Sequence, residues 1–178
     1  MKNVLVSLKP YYYYLVGEGI KEIEVRKSMP KSSDWNKTVY FYMSKDEKSF
    51  AKIPKEYQEK YRKHFGKVGL KFVCDRIDEY FYDQAFDESM GCFINKYGYE
   101  ITSYELAQTC LSYEEFEKYG NTNALYGWHI SDLKIYDKPK SLEMFPVGKI
   151  ARDCGCGGYM IYNKVLTRPP QSWCYVEV

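Results

Sequence analysis

The sequence has no apolar stretch long enough to span a membrane. Its first hydrophobic run, at residues 4–8, is also too short to be the core of a signal peptide. We therefore expect a cytoplasmic protein that does not enter a membrane. In a reducing compartment the six cysteines are expected to remain thiols and to form no disulfide framework: Cys74, Cys92, Cys110, Cys154, Cys156 and Cys174.

Histidine, which commonly takes part in catalysis and metal binding, is scarce in this sequence. The two histidines are His64, in a charged segment that resembles protein surface, and His129, which has no plausible serine or cysteine partner nearby in sequence, so a catalytic triad is unsupported. No glycine motif that cradles phosphates is present. Cys154 and Cys156 form one closely spaced pair, whereas a structural zinc site usually has two. No cofactor and no metal is predicted.

Aromatic residues, in contrast, are abundant, at 18% of the chain with 20 tyrosines. Much of this tyrosine must lie in or beside the core, and some of it could stack on nucleobases. The net charge of +2 permits an anionic partner but is too small for a strong duplex-DNA binder. The 178 residues contain no evident linker, so a single domain covering 1–178 is predicted.

The hydrophobic pattern predicts an α+β fold of many strands and few short helices. A first helix should begin at Pro10, and capping-box patterns at Thr102 and Ser112 should open two more. A short helix near 55–64 and a helical turn at 141–145 are also expected. Charged or irregular surface insertions are predicted near 45–65 and 83–100. Strands are expected at 4–8, 20–26, 39–43, 68–77, 124–136, 159–166 and 172–178.

The segment 19–26 is the most informative about function. Period-2 alternation places Glu22, Glu24 and Arg26 on one face of the predicted strand, opposite two apolar residues. Charges of both signs on one face must contact water, pair with each other, or bind a polar ligand. Lys21 is therefore either a solvated lysine or a group that binds phosphate or acts as a base, and Glu24 with Arg26 is either a structural ion pair or a ligand contact.

The order of the motifs resembles the ASCH (activating signal cointegrator homology) domain of the PUA-like superfamily, in a bacterial and prophage subgroup. The resemblance covers the chain from end to end apart from the two insertions. It implies a small PUA-like β-barrel with flanking short helices, in which the first helix and second strand flank a cleft. The matching segments are Ser7-Leu8-Lys9-Pro10, Gly19-x-Lys21-x-x-Glu24-x-Arg26, Gly66-Lys67-Val68, Cys74-Asp75-Arg76-Ile77, Trp128-His129-Ile130-Ser131-Asp132-Leu133 and Arg168-Pro169-Pro170-Gln171-Ser172-Trp173.

Family members are thought to bind RNA or modified bases, so the resemblance implies a cleft for single-stranded RNA or a modified nucleobase or nucleoside. Charged residues would contact phosphates and base edges, and aromatic residues would offer stacking surfaces. Each of these aromatic residues has core packing as its alternative. The predicted ligand-binding residues are Lys9, Tyr12, Lys21, Glu24, Arg26, Trp128, Arg168 and Trp173.

Two other functions stay open from the sequence. One bacterial branch of the family resembles an amidohydrolase of acetylated cytidine that uses a lysine, a threonine nucleophile and a glutamate. Lys21 matches that lysine, but Glu24 replaces the nucleophile, and Glu115 or Glu117 would have to serve as the glutamate. A weak ribonuclease using Lys21 and Glu24 is a variant of this reading. The second possibility is a protein-interaction domain whose cleft is merely structural.

Overall fold

The computed structural model describes residues 3–30, 37–82, 86–87, 92–93, 98–153 and 159–178. Cys154, Cys156 and much of the predicted 83–100 insertion lie outside these residues. The strands are β1 Asn3–Leu8, β2 Ile23–Arg26, β3 Lys37–Met43, β4 Val68–Cys74, β5 Ile77–Tyr80, β6 Phe86–Asp87, β7 Cys92–Phe93, β8 Leu125–His129, β9 Ser131–Lys140, β10 Gly148–Asp153, β11 Tyr159–Lys164 and β12 Trp173–Val176.

Five short α-helices occur in these ranges: α1 Pro10–Gly17, α2 Glu47–Phe50, α3 Lys55–Arg62, α4 Ser103–Thr109 and α5 Tyr113–Gly120. The two predicted capping boxes are both present. The side chains of Thr102 and Ser112 accept the backbone N–H of the residue three positions later, and the carboxylates of Glu105 and Glu115 accept the backbone N–H of Thr102 and Ser112. A 3₁₀ turn at Leu142–Met144 occupies the predicted helical turn.

Two main sheets organise the described residues. The larger has the order β12-β1-β3-β4-β9, and the smaller has the order β2-β8-β5. β1 runs parallel to β3, and the other paired strands are antiparallel. The predicted α+β class is therefore confirmed. The predicted small barrel is not: in the described ranges the strands form separate sheets, and no closed barrel is present.

Both faces of the large sheet are covered, which explains why its inner strands are apolar at successive positions. On β1, Val4, Val6 and Leu8 contact the cluster that packs against α1, whereas Leu5 contacts the cluster on the opposite face. β3 divides its residues between the two clusters in the same alternating way. A third cluster, containing Phe116, joins the small sheet to α5.

Two predicted long strands are each divided in the structure. The 68–77 prediction is wrong beyond Cys74, because the chain leaves the large sheet there and re-enters the small sheet as β5. The 124–136 prediction is wrong at Ile130, because β8 belongs to the small sheet and β9 to the large one. The two transitions lie side by side, where the His129 N–H donates to the carbonyl of Arg76 over 3.0 Å.

The segment 45–65 is not a mere surface insertion, which corrects the prediction. Phe50, Ile53, Tyr61 and His64 are all buried, and three of them belong to the main core cluster. The lysines and glutamates between them face solvent, so the segment is amphipathic. Its charge content alone suggested a surface position.

His64 is 1% exposed and contributes to the core beneath α1. Its Nδ1 lies 3.0 Å from the Tyr13 hydroxyl. Burial and the nearby Lys63, Lys60 and Lys67 lower the pKa of His64 from 6.5 to about 4. The imidazole is therefore neutral at physiological pH, and its role is structural.

Acidification should destabilise the protein through His64. Because the folded pKa lies below the unfolded value, the unfolded chain binds more protons between pH 6.5 and pH 4, and the free energy of unfolding falls as the pH is lowered. His64→Gln lacks this proton site. The free energy of unfolding of the wild type, relative to that of the variant, should therefore fall by on the order of 2 kcal/mol between pH 7 and pH 4. Urea unfolding at several pH values measures this difference, and a constant difference would contradict the assignment.

Candidate functional site

Three charged residues at β2 form a buried network. Arg26 Nη2 lies 2.8 Å from Glu24 Oε1, and Lys21 Nζ lies 3.6 Å from Glu24 Oε2, so one carboxylate is held between two cations. Lys21 is 3% exposed, Glu24 5% and Arg26 7%. The reading of Lys21 as a solvated lysine is therefore wrong. Glu24 and Arg26 do pair with each other, which the sequence left open.

The backbone around the network explains how three charges become buried together. Gly19 has φ +69°, a left-handed conformation that glycine adopts without strain, and it turns the chain from α1 towards β2. Lys21 Nζ then donates to the carbonyl of Thr109 at the end of α4, over 2.5 Å. Arg26 Nη2 donates to the carbonyl of Ser7 on β1, over 2.8 Å. The network therefore joins the large sheet, the small sheet and α4.

Lys21 has an altered acidity in this setting. Burial lowers the pKa of its amine, and the Glu24 carboxylate acts in the opposite direction. The buried Nε of Arg26 has no partner among the described residues. A site with imperfectly compensated charge of this kind is more typical of a functional cleft than of a bracing ion pair.

The network forms the floor of an open cleft of about 600 Å³. This volume lies in the usual range for small-ligand sites. Tyr12 of α1 and Tyr119 of α5 line it from different helices. Four cations and two carboxylates line the cleft, so positive charge prevails: Lys9, Lys21, Arg26 and Lys118 with Glu24 and Glu115.

Burial and the charged floor both affect the pKa values of Tyr12 and Tyr119. Burial raises the pKa of Tyr12, and the carboxylates of Glu115 and Glu24 raise it further. Burial also raises the pKa of Tyr119, with Arg26 opposing and Glu24 adding to that effect. Both phenols are therefore neutral at physiological pH, and each can offer a ring face and a hydroxyl to a ligand.

Five of the eight predicted ligand-binding residues line this cleft: Lys9, Tyr12, Lys21, Glu24 and Arg26. The other three do not. Trp128 is 1% exposed in the main core cluster, and its ring centroid lies 6.0 Å from that of the partly buried Trp173. Trp173 donates its indole N–H to Ser28 Oγ over 3.0 Å. Arg168 is exposed outside the cleft lining.

The cleft also contains residues to which the sequence analysis assigned no role. Lys118 and Tyr119 reach it from α5, about ninety residues beyond the motif, and Gln171 reaches it from the closing segment. Glu115, one of two candidate glutamates for a hydrolase, is present, whereas Glu117 does not line the cleft. The capping box that fixes Glu115 was the one available clue, because it located the helix that carries all three α5 residues.

A second charged group lies apart from the cleft lining. His129 Nε2 is 2.6 Å from Asp78 Oδ2, and Arg76 pairs with the same carboxylate at 2.7 Å. Across the described ranges, no cluster of three or more His, Cys, Asp or Glu side chains is suited to hold a metal. None of the helices in those ranges is both long and apolar enough to traverse a bilayer.

Taken together, the described residues form a mixed α+β domain with two main sheets and an open cleft that has a buried, charged floor. The fold is that of an ASCH domain. Two point variants of the ASCH protein from Zymomonas mobilis, one tyrosine-to-phenylalanine and one serine-to-alanine, are similar to this chain with TM-scores of 0.50 each. Their sequences are 12% and 13% identical to it, and the matches cover 99% of this chain and 91% and 89% of theirs.

The remaining comparisons are negative. No family model matches the chain, and no curated protein sequence matches it either. At the identities of the solved structures, the likeness establishes the fold alone. The ASCH fold inferred from the motif order is therefore confirmed, and the bacterial or prophage subgroup remains a prediction.

Proposed function

We propose that the cleft binds single-stranded RNA or a modified nucleobase. The observation that carries this proposal is the cleft floor, where Lys21, Glu24 and Arg26 are buried yet border an open volume of about 600 Å³. A structural ion pair would need no such opening. The fold shared with ASCH proteins supports the same assignment.

The chemistry of the cleft fits a nucleobase and its phosphate. A carboxylate accepts from several donors, so Glu24 retains the capacity to accept from a base amino group while it pairs with Arg26. Tyr12 and Tyr119 offer faces on which a base can stack, and stacking is largely independent of base identity. Lys9 and Lys118 are exposed at the cleft and can neutralise phosphates.

Binding should depend on the two α5 residues that line the cleft. Tyr119→Ala removes a stacking face and should cost about 1–3 kcal/mol of affinity for single-stranded RNA. Lys118→Ala removes one phosphate contact and should lower the slope of log affinity against log salt by about one. Fluorescence anisotropy with homopolymer RNA oligonucleotides of each base, at several salt concentrations, measures both effects.

Two matched controls test whether the loss of affinity is specific to cleft residues or follows from removing any exposed tyrosine or lysine. Tyr104→Ala removes an exposed tyrosine of α4, and Lys138→Ala removes an exposed lysine of β9, and neither residue lines the cleft. Both should leave the affinity unchanged. Absence of saturable binding to RNA and to a panel of modified nucleosides, or equal losses in the controls, would overturn the proposal.

A hydrolase is the second candidate, and the state of Lys21 favours it. Burial lowers the pKa of this amine at the cleft floor, which increases the fraction of the neutral form that can act as a general base. Glu24 beside it could orient a water molecule, because a carboxylate is a poor nucleophile towards an amide. The substrates in this reading are N-acyl nucleosides such as acylated cytidine, or RNA itself.

Turnover of N-acyl nucleosides would distinguish this candidate from simple binding. If Lys21 is the base, the rate should rise with pH through a pKa below the ordinary lysine value. Lys21→Met should then reduce kcat by about 10²-fold or more, while Lys118→Ala should mainly change KM. A protein that binds nucleosides but converts none of them would reject the hydrolase and leave the binding proposal intact.

A further inference from the structure

The cleft does not end at Lys9 and Tyr12. A second hollow of about 510 Å³ adjoins it, and the two share Lys9, Tyr12 and Glu115 as lining residues. The hollow continues towards the segment that connects α2 to α3. The two volumes therefore form one groove, with the buried network at one end and α2 at the other.

The far end of the groove, which we call the lysine arm, is lined by Lys9, Lys48 and Lys52. All three are exposed, and none pairs with a carboxylate of the described residues. Lys48 lies in α2, and Lys52 lies in the turn that follows it, where the Lys52 N–H donates to the Ser49 carbonyl over 3.2 Å. Both lysines line the same hollow.

The carboxylates near the lysine arm are already engaged. Asp46 Oδ1 accepts the Ser49 N–H over 3.0 Å, and Glu115 Oε2 accepts the Ser112 N–H over 2.9 Å. The whole groove is lined by six cations and three carboxylates, an excess of three positive charges. The net charge of the entire chain is only +2. The residues outside the groove therefore carry a formal net charge of −1, so the net positive charge of the chain arises from the groove.

The lysine arm is also held in place against the first helix. Ser49 Oγ accepts the backbone N–H of Tyr11 over 3.1 Å, which ties α2 to the first turn of α1. Phe50 is 2% exposed, and the Arg62 guanidinium lies 3.9 Å from its ring centroid. The backbone that carries Lys48 and Lys52 is therefore anchored beside Tyr12, and only the lysine side chains need to adjust to a ligand.

We propose that the groove binds a single-stranded oligonucleotide and not an isolated nucleoside, with one base in the cleft and the adjoining phosphates along the lysine arm. This inference rests on the proposed function and adds the ligand class. Free cations without partners suit a repeated anion, and the polar, open hollow suits a solvated backbone more than a second base. The binding energy of the arm would be absent for a free nucleoside.

The test compares ligands of two sizes on one pair of variants. In Lys48→Ala/Lys52→Ala, the affinity for a single-stranded RNA of about eight nucleotides should fall roughly tenfold, and the salt slope should fall by about two. The affinity for the four nucleoside monophosphates should stay unchanged. The charge-reversed pair Lys48→Glu/Lys52→Glu should weaken the oligonucleotide further. Lys134→Ala/Lys138→Ala, two exposed lysines of β9, is the matched control.

Each result bears on the inference separately from the proposed function. The lysine-arm inference would be overturned, with the cleft proposal intact, by either of two results. One is wild-type protein that binds monophosphates as tightly as the oligonucleotide. The other is an oligonucleotide affinity that neither the alanine pair nor the glutamate pair at Lys48 and Lys52 changes. Equal competition by duplex RNA would also overturn it. Failure of every probe to bind would overturn both. Thermal melting of each variant confirms that it is folded, as expected for exposed lysines.

Discussion

Replacing Glu24 with alanine is expected to lower the free energy of unfolding by about 3–5 kcal/mol. Among the described residues, Glu24 is the one carboxylate in contact with both Lys21 and Arg26, at 3.6 Å and 2.8 Å, and all three groups are buried. Without it, two positive charges remain in a weakly solvated environment and repel each other. Urea unfolding monitored by circular dichroism measures the loss.

Glu22→Ala is the matched control, because Glu22 is two residues away but exposed, with Gln108 as its hydrogen-bond partner. It should cost less than about 0.5 kcal/mol. Replacing the whole network with apolar residues of similar volume, as Lys21→Met, Glu24→Leu and Arg26→Met together, should recover most of the stability lost in Glu24→Ala. Equal losses for Glu24→Ala and Glu22→Ala would show that Glu24 does not compensate its neighbours.

The triple variant also separates function from stability. If the network only stabilises the fold, the apolar triple variant should bind RNA as the wild type does. If the cleft binds RNA as proposed, the stable triple variant should lose that binding, because its floor no longer offers charge or hydrogen bonds. Buried polar networks kept at a cost in stability are expected at functional sites.

Replacing Trp128 with alanine should be similarly destabilising, by about 3–5 kcal/mol, because the indole is 1% exposed and the cavity left behind can collapse only partly. Trp128→Phe should cost less, roughly 1–2 kcal/mol. The substitution breaks no hydrogen bond with the described residues, because the indole Nε1 of Trp128 has no partner among them. Chemical denaturation of both variants provides the measurement.

The phenylalanine variant tests the role that the resemblance suggested for Trp128. If Trp128 stacked on a base in the cleft, its replacement by the smaller phenylalanine ring would lower the affinity for RNA. If Trp128 is a core residue, the folded variant should bind RNA with unchanged affinity. We expect the second result, because Trp128 does not line the cleft. A marked loss of RNA binding in folded Trp128→Phe would instead place the indole in contact with ligand.

The sequence predicted the elements that local pattern controls. The first strand, the helix at Pro10 and both capping boxes depend on residues within a few positions of one another. The predicted strands ran through Cys74 and Ile130, because a short polar pair such as Asp75-Arg76 or Ser131-Asp132 does not by itself show that a strand ends. The chain breaks there only because two sheets meet, and that is a property of tertiary packing.

The candidate site shows the same division. The proximity of Glu24 and Arg26 followed from alternation on a strand, whereas Lys21 lies before β2 and its contact with Glu24 did not follow from alternation. The burial of these residues did not follow either, since it depends on carbonyl groups of Thr109 and Ser7 supplied by remote elements. Tyr119 and Lys118 entered the site only when α5 packed beside β2. Residues that reach a cleft from distant helices have no spacing that a single sequence reveals.

The pairing of β1 with β12 couples an edge of the large sheet to the cleft. β1 lies between β3 and β12, and Asn3 is opposite Val176. One edge of β1 therefore pairs with a strand that is remote in sequence, and without β12 that edge would have unpaired backbone groups. The same region of β1 carries Ser7, whose carbonyl accepts from Arg26 and whose hydroxyl donates to the Pro170 carbonyl. Ser7 and the neighbouring Gln171 both line the cleft. Local opening of β12 would therefore expose one edge of β1 and disturb the cleft at the same time.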